Sequence, residues 1–82
     1  MINGSLVRGA RGILGWSVQT LARRAHVGTA TILRVERART SPYGQHRTIE
    51  KIERALADGG VHFTEGAHGE IGLSLDASQH AE

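Results

Sequence analysis

The segment SVQTLARRAHVGTATILRVE, residues 17–36, contains two short amphipathic patterns separated by a turn. In the second pattern, Ile32 and Val35 stand three residues apart, as on one face of a helix. The apolar residues of the first pattern also share one face: Leu21, Ala22 and Ala25. Alanine side chains are small enough to let two helices cross closely. The segment therefore predicts a helix-turn-helix, an arrangement that places its second helix in the major groove of DNA.

The same segment resembles the helix-turn-helix of the XRE family, the regulators related to phage Cro and the lambdoid repressors. The family pattern is roughly S-Q-x-x-L-A in the first helix, A-G-V-S in the turn and x-x-T-I-x-x-x-E in the second helix. The positions that match in register are Leu21, Ala22, Ala25, Val27, Thr31, Ile32 and Glu36. The resemblance extends from Leu6 to about Leu56. It implies a mainly α fold, a lambda-repressor-like bundle of four main helices, that binds double-stranded DNA.

Three positions depart from the family pattern. Val18 stands where the family has a phosphate-contacting Gln, although Gln19 is adjacent. His26 replaces the Gly of the turn, where the backbone needs a left-handed conformation that His tolerates better than most residues. Gly28 replaces the Ser that caps the second helix and is a weaker N-cap. The departures thus concern one phosphate contact, the turn and the cap.

The charges of the chain are unevenly distributed. All ten Lys and Arg residues fall within residues 1–54, where only Glu36, Glu50 and Glu53 oppose them. Residues 55–82 contain acidic residues but neither Lys nor Arg. The small overall net charge of +2 therefore conceals a basic first part and an acidic last part. Arg can simply decorate solvated helix faces. Because these residues surround a helix-turn-helix pattern, the distribution favours binding to DNA.

Composition argues against several other classes of protein. A chain of 82 residues forms one small domain with a limited core, which dimerisation would naturally supplement. The absence of Cys excludes disulfides and thiolate metal sites. No apolar run approaches the roughly 20 residues that span a bilayer. The first residues lack the pattern of a secretory signal, so we expect a cytoplasmic protein.

The sequence contains no recognisable motif for catalysis or cofactor binding. Neither a Gly-rich loop of Walker spacing nor a nucleophile elbow is present. His62, His68 and His80 lack the i, i+4 His pair or the Cys partners typical of zinc sites, and Glu65 and Asp76 complete no ligand set. We therefore expect these His residues to lie on the surface, and we expect no metal, no other cofactor and no enzymatic activity.

Helical periodicity also precedes the central segment. A first helix is predicted from about Ser5, as its N-cap, to Leu14, with Gly15 ending it in a left-handed cap. Its predicted apolar stripe consists of Leu6, Ala10, Ile13 and Leu14. Trp16 either inserts into the core or covers its edge, and we favour the edge. Ser17 is expected to cap the next helix.

The period changes in the last part of the chain. After a loop containing Pro42, a fourth helix is predicted from about Arg47 to Asp58. Apolar residues then alternate with polar ones on both sides of a turn, which predicts a β-hairpin over residues 61–75. Residues 76–82 are predicted to form a flexible tail. The organisation is therefore a helical domain, 1–60, with the hairpin as part of the same domain.

The outward face of the second motif helix carries the candidate base contacts. By the family resemblance these positions are Thr29, Ala30, Leu33 and Arg34. Arg34 is the strongest candidate, since a guanidinium can bond guanine O6 and N7 in a bidentate manner. Leu33 offers an apolar contact, because Ile32 and Val35 already fill the buried face. The alternative is that Leu33 packs inside.

Phosphate contacts should outnumber base contacts. The candidates begin a helix or flank the loop on the same side: Ser17, Gln19, Thr31, Arg39, Thr40 and Arg47. Arg8, Arg23 and Arg24 are weaker candidates, for which solvated surface is the preferred interpretation. The resemblance also implies a structural ion pair between Arg11 on the first helix and Glu36 at the end of the recognition helix.

These features predict a DNA-binding transcriptional regulator, a repressor or controller, that binds an inverted-repeat operator as a homodimer. An isolated hairpin is marginal in water, so the apolar face of its second strand is the candidate dimer interface: Ile71, Leu73 and Leu75. Alternatively, this face covers the protomer's own helices and the fourth helix forms the dimer. Two other functions stay open, an antitoxin that autoregulates its operon, or an adaptor without DNA binding. Either would bind a partner protein, such as a toxin or an antiactivator.

Overall fold

The described residues, 3–38 and 46–76 of a computed structural model, form four helices followed by a two-stranded hairpin. The elements are α1 (Gly4–Leu14), α2 (Val18–Ala25), α3 (Thr29–Arg37), α4 (His46–Asp58), β1 (Val61–Glu65) and β2 (Ile71–Leu75). This confirms the predicted fold class, a mainly helical bundle with a C-terminal hairpin. Within these ranges, no helix combines the length and the apolar character needed to cross a membrane.

Side-chain and backbone caps define the helix ends. Asn3 caps α1, since its side-chain oxygen accepts a 2.9 Å hydrogen bond from the N–H of Leu6. The prediction that Ser5 caps α1 is therefore wrong. Asn is as good an N-cap as Ser, and the earlier start brings Gly4 onto the end of α3. Gly15 ends α1 at φ 69°, the predicted left-handed cap. α4 begins at His46, one residue before its predicted start.

The buried face of α1 differs from the predicted one. Val7 and Ala10 are fully buried, whereas Ile13 is 45% exposed. The predicted stripe is therefore wrong at Ile13, and it omits Val7. The cause is a close contact between α1 and α3: a Cβ at Gly4 would lie 2.5 Å from the carbonyl oxygen of Val35. This contact turns the row of residues 4, 7 and 10 inward, since residues three apart share a helix face.

A single hydrophobic core holds these elements together. Its largest fully buried side chains come from every helix and from β1: Val7, Leu21, Ile32, Val35, Ile52, Leu56 and Val61. The strands pair antiparallel, with Val61 opposite Leu75 and Phe63 opposite Leu73. The hairpin packs against α1 and α4, which supplies the support that two strands alone would lack. The predicted hairpin is therefore confirmed.

The predicted flexible tail begins one residue too early. The N–H of Asp76 donates a 2.8 Å hydrogen bond to the carbonyl oxygen of Gly60. The carboxylate of Asp76 also lies 2.9 Å from Nε2 of His62. Asp76 therefore closes the open end of the hairpin, because it ties the end of β2 to the start of β1. Residues 77–82 lie outside the described residues.

Candidate nucleic-acid interface

A tight turn connects α2 to α3. His26 ends α2 at φ 59°, which confirms the left-handed conformation predicted for it. Its N–H donates a 3.3 Å hydrogen bond to the carbonyl oxygen of Arg23, and the N–H of Val27 bonds to that of Ala22 at 3.0 Å. A left-handed conformation costs a residue with a side chain about 1–2 kcal/mol. These hydrogen bonds and the packing of α2 on α3 offset that cost.

The outward face of α3 collects the four candidate base contacts. All four side chains are exposed: Thr29, Ala30, Leu33 and Arg34. The alternative position for Leu33, inside the core, is wrong, since Leu33 is 39% exposed while Ile32 and Val35 fill the buried side. The acidic residue of α3, Glu36, is only 8% exposed and turns inward. The outward face of α3 thus combines small, apolar and basic side chains without a carboxylate.

The first turn of α3 is open to an anion. Gly28, its N-cap, supplies no side-chain acceptor. Its carbonyl oxygen accepts hydrogen bonds from the N–H groups of Thr31 and Ile32, at 3.1 and 3.2 Å. The N–H groups of Thr29 and Ala30 have no acceptor among the described residues. Free N–H groups at a helix N-terminus suit a phosphate oxygen, and the helix dipole favours negative charge there.

Arg34 is oriented along α3 by its neighbour one turn earlier. Its Nη2 lies 3.4 Å from Oγ1 of Thr31, a long hydrogen bond between exposed groups. Residues three apart are neighbours on a helix surface, so this contact needs no unusual geometry. The guanidinium therefore lies near the open first turn of α3, and a contact this weak leaves it free to bind another acceptor.

The start of α2 differs in detail from the expectation. Ser17 caps α2 as predicted, and its Oγ accepts a 3.0 Å hydrogen bond from the N–H of Thr20. The same hydroxyl donates to Oγ1 of Thr20 at 3.0 Å. The Ser17 hydroxyl is therefore engaged within the protein both as an acceptor and as a donor. The N–H groups of Val18 and Gln19, together with the exposed Gln19 side chain, are the groups left for a phosphate at this end.

The other predicted phosphate contacts are spread along the chain. Arg47 is exposed in the first turn of α4, and Thr31 is half buried beside Arg34. Arg39 and Thr40 lie outside the described residues. Sequence reasoning missed Thr20, whose hydroxyl completes the cap of α2. Its signal was the three-residue spacing from Ser17, which is the spacing of a side-chain N-cap and its partner.

A bidentate ion pair fixes α3 against α1. Nε of Arg11 lies 2.8 Å from Oε2 of Glu36, and Nη2 lies 3.0 Å from Oε1. The remaining nitrogen, Nη1, donates a 3.1 Å hydrogen bond to the carbonyl oxygen of Trp16. Arg11 thus joins the last turn of α3 to α1 and to the connection between α1 and α2. The pair that the resemblance implied is present in the structure.

The environment of Arg11 affects its protonation. The hydrogen bond that Arg11 donates to Glu36 raises the pKa of Arg11 above its ordinary value, and burial opposes that rise. A group whose folded pKa is raised contributes stability that is complete below its unfolded pKa. For an arginine that value is far above neutral. The Arg11 charge therefore contributes equally to stability throughout the physiological pH range.

Trp16 covers the edge of the core, as expected. A Cβ at Gly59 would lie 2.7 Å from the ring, so the ring fits against the backbone that follows α4. On its other side, the guanidinium carbon of Arg24 lies 4.6 Å from the ring centroid. Arg24 is exposed, as predicted, but it is more than solvated surface. Its cation–π contact restricts where the guanidinium can go.

The three predicted dimer residues lie in different environments. Leu73 packs on the protomer's own core, and its Cδ1 would be 3.7 Å from a Cβ at Gly9 of α1. Ile71 is half buried, whereas Leu75 is 44% exposed. Part of this face therefore covers the protomer's own helices, which was the alternative interpretation. Leu75 is the member that is available to a partner.

Two large apolar side chains remain exposed on α1 and β2. Ile13 of α1 is 45% exposed, and Leu75, the last residue of β2, is 44% exposed. The two elements contact each other, and Gly9 of α1 lies beside Leu73 of β2. Ile13 and Leu75 are thus exposed on neighbouring elements.

The described residues include no cluster of three or more His, Cys, Asp or Glu side chains positioned to hold a metal ion. His62 is partly exposed and pairs with Asp76, while His68 is exposed in the hairpin turn. In comparisons with known proteins, no family model matches this chain, and no curated protein matches it either.

Proposed function

We propose that this protein is a sequence-specific, double-stranded DNA-binding transcriptional regulator, a repressor or controller, that acts on DNA in the cytoplasm. The observation that supports this most strongly is the outward face of α3. It combines exposed Thr29 and Arg34 with free N–H groups, and its carboxylate, Glu36, is turned inward. A face without negative charge, on a helix held by an ion pair, suits insertion into the major groove.

The side chains divide into two roles on this proposal. Arg34 reads a guanine edge, while Ala30 and Leu33 offer apolar contact to a thymine methyl group. The free N–H groups at the starts of α2 and α3, with Gln19 and Arg47, bind backbone phosphates and set the register of the protein on the duplex. The expected complex is therefore specific at few base pairs and strongly dependent on salt.

Homodimerisation on an inverted repeat is part of the same proposal. Two copies related by a two-fold axis would bring the exposed Leu75 of one protomer against that of the other. This would supplement a core that is small in an 82-residue chain. The arrangement requires the two copies of α3 to lie about 34 Å apart, one turn of DNA.

The test is the substitution Arg34→Ala, with Arg37→Ala as its matched control. Both residues are exposed on α3, and both substitutions remove one positive charge, but Arg34 is the one whose guanidinium lies beside Thr31, near the first turn. The operator is first obtained by selecting bound sequences from a random DNA pool. Loss of a bidentate base contact costs about 1–3 kcal/mol, or about 5–150-fold in affinity. We expect that loss for Arg34→Ala, together with relaxed preference at one base pair.

The outcome that contradicts the assignment is equal sequence preference in both variants and in the wild type. The exposed Leu33 favours one second candidate, an adaptor that binds a partner protein through the same face of α3. Generic duplex DNA distinguishes the two functions. A regulator binds it with an affinity that falls steeply as salt increases, whereas an adaptor that has lost DNA binding does not.

A further inference from the structure

A basic groove of about 270 Å³ lies between the end of α2 and the outer face of α4. Ala25 and Ala55 form its floor, and the long side chains of Arg24, Lys51 and Arg54 surround it. Asp58 lies at its margin. Of the predicted DNA contacts, only Arg24, a weaker candidate for a phosphate contact, lines this basic groove, so the proposed function leaves the charges of Lys51 and Arg54 unexplained.

The cations of the basic groove lack partners within the protomer. None of Arg24, Lys51 and Arg54 forms an ion pair with a described carboxylate, although Glu50 and Asp58 stand four residues from Arg54 on the same helix. Arg24 is also held in place, because its guanidinium stacks on the ring of Trp16. A positioned cation loses less side-chain entropy when it binds a carboxylate. The groove is therefore suited to an acidic ligand.

The turn of the hairpin, residues 65–70, carries the complementary charges. Glu65 and Glu70 flank the turn and are exposed, and neither forms an ion pair with a described cation. The N–H of Gly66 donates a 2.7 Å hydrogen bond to the carbonyl oxygen of Glu70, which closes the turn between the two carboxylates. His68, also exposed, lies between them in sequence and offers a donor to Asp58.

We propose that the hairpin turn of one copy binds in the basic groove of a second copy. The match of two carboxylates and a histidine with three cations and Asp58 favours this occupant over a DNA strand, because His68 offers Asp58 a hydrogen-bond donor and a phosphate backbone offers none. Exposed ion pairs are weak and screened, so we expect a dissociation constant of roughly 1 mM in solution. The turn and the groove are different surfaces, so the contact is heterologous and differs from a two-fold interface at Leu75.

The contact would matter most on DNA, a consequence that rests on the proposed function. Two proteins on neighbouring sites face each other at an effective concentration in the millimolar range. A contact of about 1 mM then raises occupancy of the neighbouring site about two- to tenfold. Such cooperativity would make occupancy of the DNA respond steeply to the concentration of the protein.

The test is a charge exchange followed by NMR, in the absence of DNA. The groove variant carries Arg24→Glu and Arg54→Glu, and the turn variant carries Glu65→Arg and Glu70→Arg. For the wild type we expect concentration-dependent amide shifts around Lys51 and Glu70 that vanish in about 0.5 M NaCl. Each variant alone should show none. A mixture of the two variants should restore the shifts, because each then meets an oppositely charged surface.

The control variant carries Arg8→Glu and Arg23→Glu, which change the net charge equally at exposed sites outside the groove. It should associate as the wild type does, and circular dichroism should show every variant folded. A mixture of folded variants that does not associate overturns the proposal. A second result also overturns the proposal: the wild type shows no self-association, and the groove variant binds generic duplex DNA more weakly than the wild type does. Loss of duplex binding in Arg34→Ala, measured separately, leaves this result unaffected.

Discussion

The ion pair between Arg11 and Glu36 gives the sharpest prediction about how α3 is held against α1. The Glu36 side chain is 7% exposed and that of Arg11 is 20% exposed, so the pair is shielded on its acidic side. Arg11→Met removes both hydrogen bonds to the carboxylate and the bond to the carbonyl oxygen of Trp16. It leaves a buried, uncompensated negative charge.

The expected loss follows from that burial. Breaking a buried ion pair from one side destabilises a protein by about 3–5 kcal/mol. Water reaches part of Arg11, which places this pair near the lower limit, at about 3 kcal/mol. A domain of this size has a total stability of about 4–12 kcal/mol. For a domain of 60–100 residues each kcal/mol shifts Tm by about 4–8 °C, so Arg11→Met should lower Tm by about 12–24 °C.

The double variant Arg11→Met with Glu36→Leu separates the pair from its surroundings. Replacing both partners by apolar side chains is often neutral or stabilising, so the double variant should unfold within about 1 kcal/mol of the wild type. Urea unfolding followed by circular dichroism, with Trp16 fluorescence as a second probe, measures the free energy of unfolding of the wild type, of the single variants Arg11→Met and Glu36→Leu, and of the double variant. Arg8→Met is the control. Arg8 is exposed on the same helix, and its loss should change stability by at most about 0.5 kcal/mol.

Two results would refute this reasoning. One is a loss below about 1 kcal/mol for Arg11→Met, which would assign the pair to the weak class of exposed salt bridges. The other is additivity, in which the double variant loses the sum of the two single losses. Additive losses would mean that the two side chains stabilise the protein independently and that Arg11 does not neutralise Glu36.

Three further predictions concern α1, the phosphate contacts and the dimer. Gly4→Ala should destabilise the protein by about 1–3 kcal/mol, because its Cβ meets the end of α3. Gly12→Ala has open space around it and should stabilise the protein by about 0.5–1 kcal/mol. Thermal unfolding should therefore show a lower Tm for Gly4→Ala and a higher Tm for Gly12→Ala. Arg47→Ala should weaken binding to all DNA sequences alike and make the salt slope shallower by about one unit, so a changed sequence preference would exclude a phosphate contact. Leu75→Arg should yield monomers in sedimentation, whereas the control Ser74→Arg, on the other face of β2, should leave the dimer intact. A dimer that persists with Leu75→Arg would exclude Leu75 from the dimer interface.

The local structure of this protein could be predicted from its sequence. Ser17 and Gly15 could be assigned as caps, and His26 as a left-handed turn residue, because each depends on a few neighbouring residues. The apolar periods of 3.6 and 2 residues predicted four helices and a hairpin for the same reason. In the candidate site, the exposure of Arg34 followed from the burial of Ile32 and Val35 on the opposite side of α3.

Only the tertiary structure decided which surfaces those elements bury and which they leave open. Ile13 fits an apolar stripe as well as Val7 does, and Val7 is buried because the contact of Gly4 with α3 rotates α1. Arg24 acquires a fixed position from Trp16, eight residues away in sequence, and Leu73 is covered by α1 while Leu75 is not. A period identifies a helix face or a strand face. Which residues of that face are buried depends on contacts between segments distant in sequence. At Gly4 the absence of a Cβ lets the backbones of α1 and α3 approach closely, and this decides that Val7 is buried and Ile13 is not.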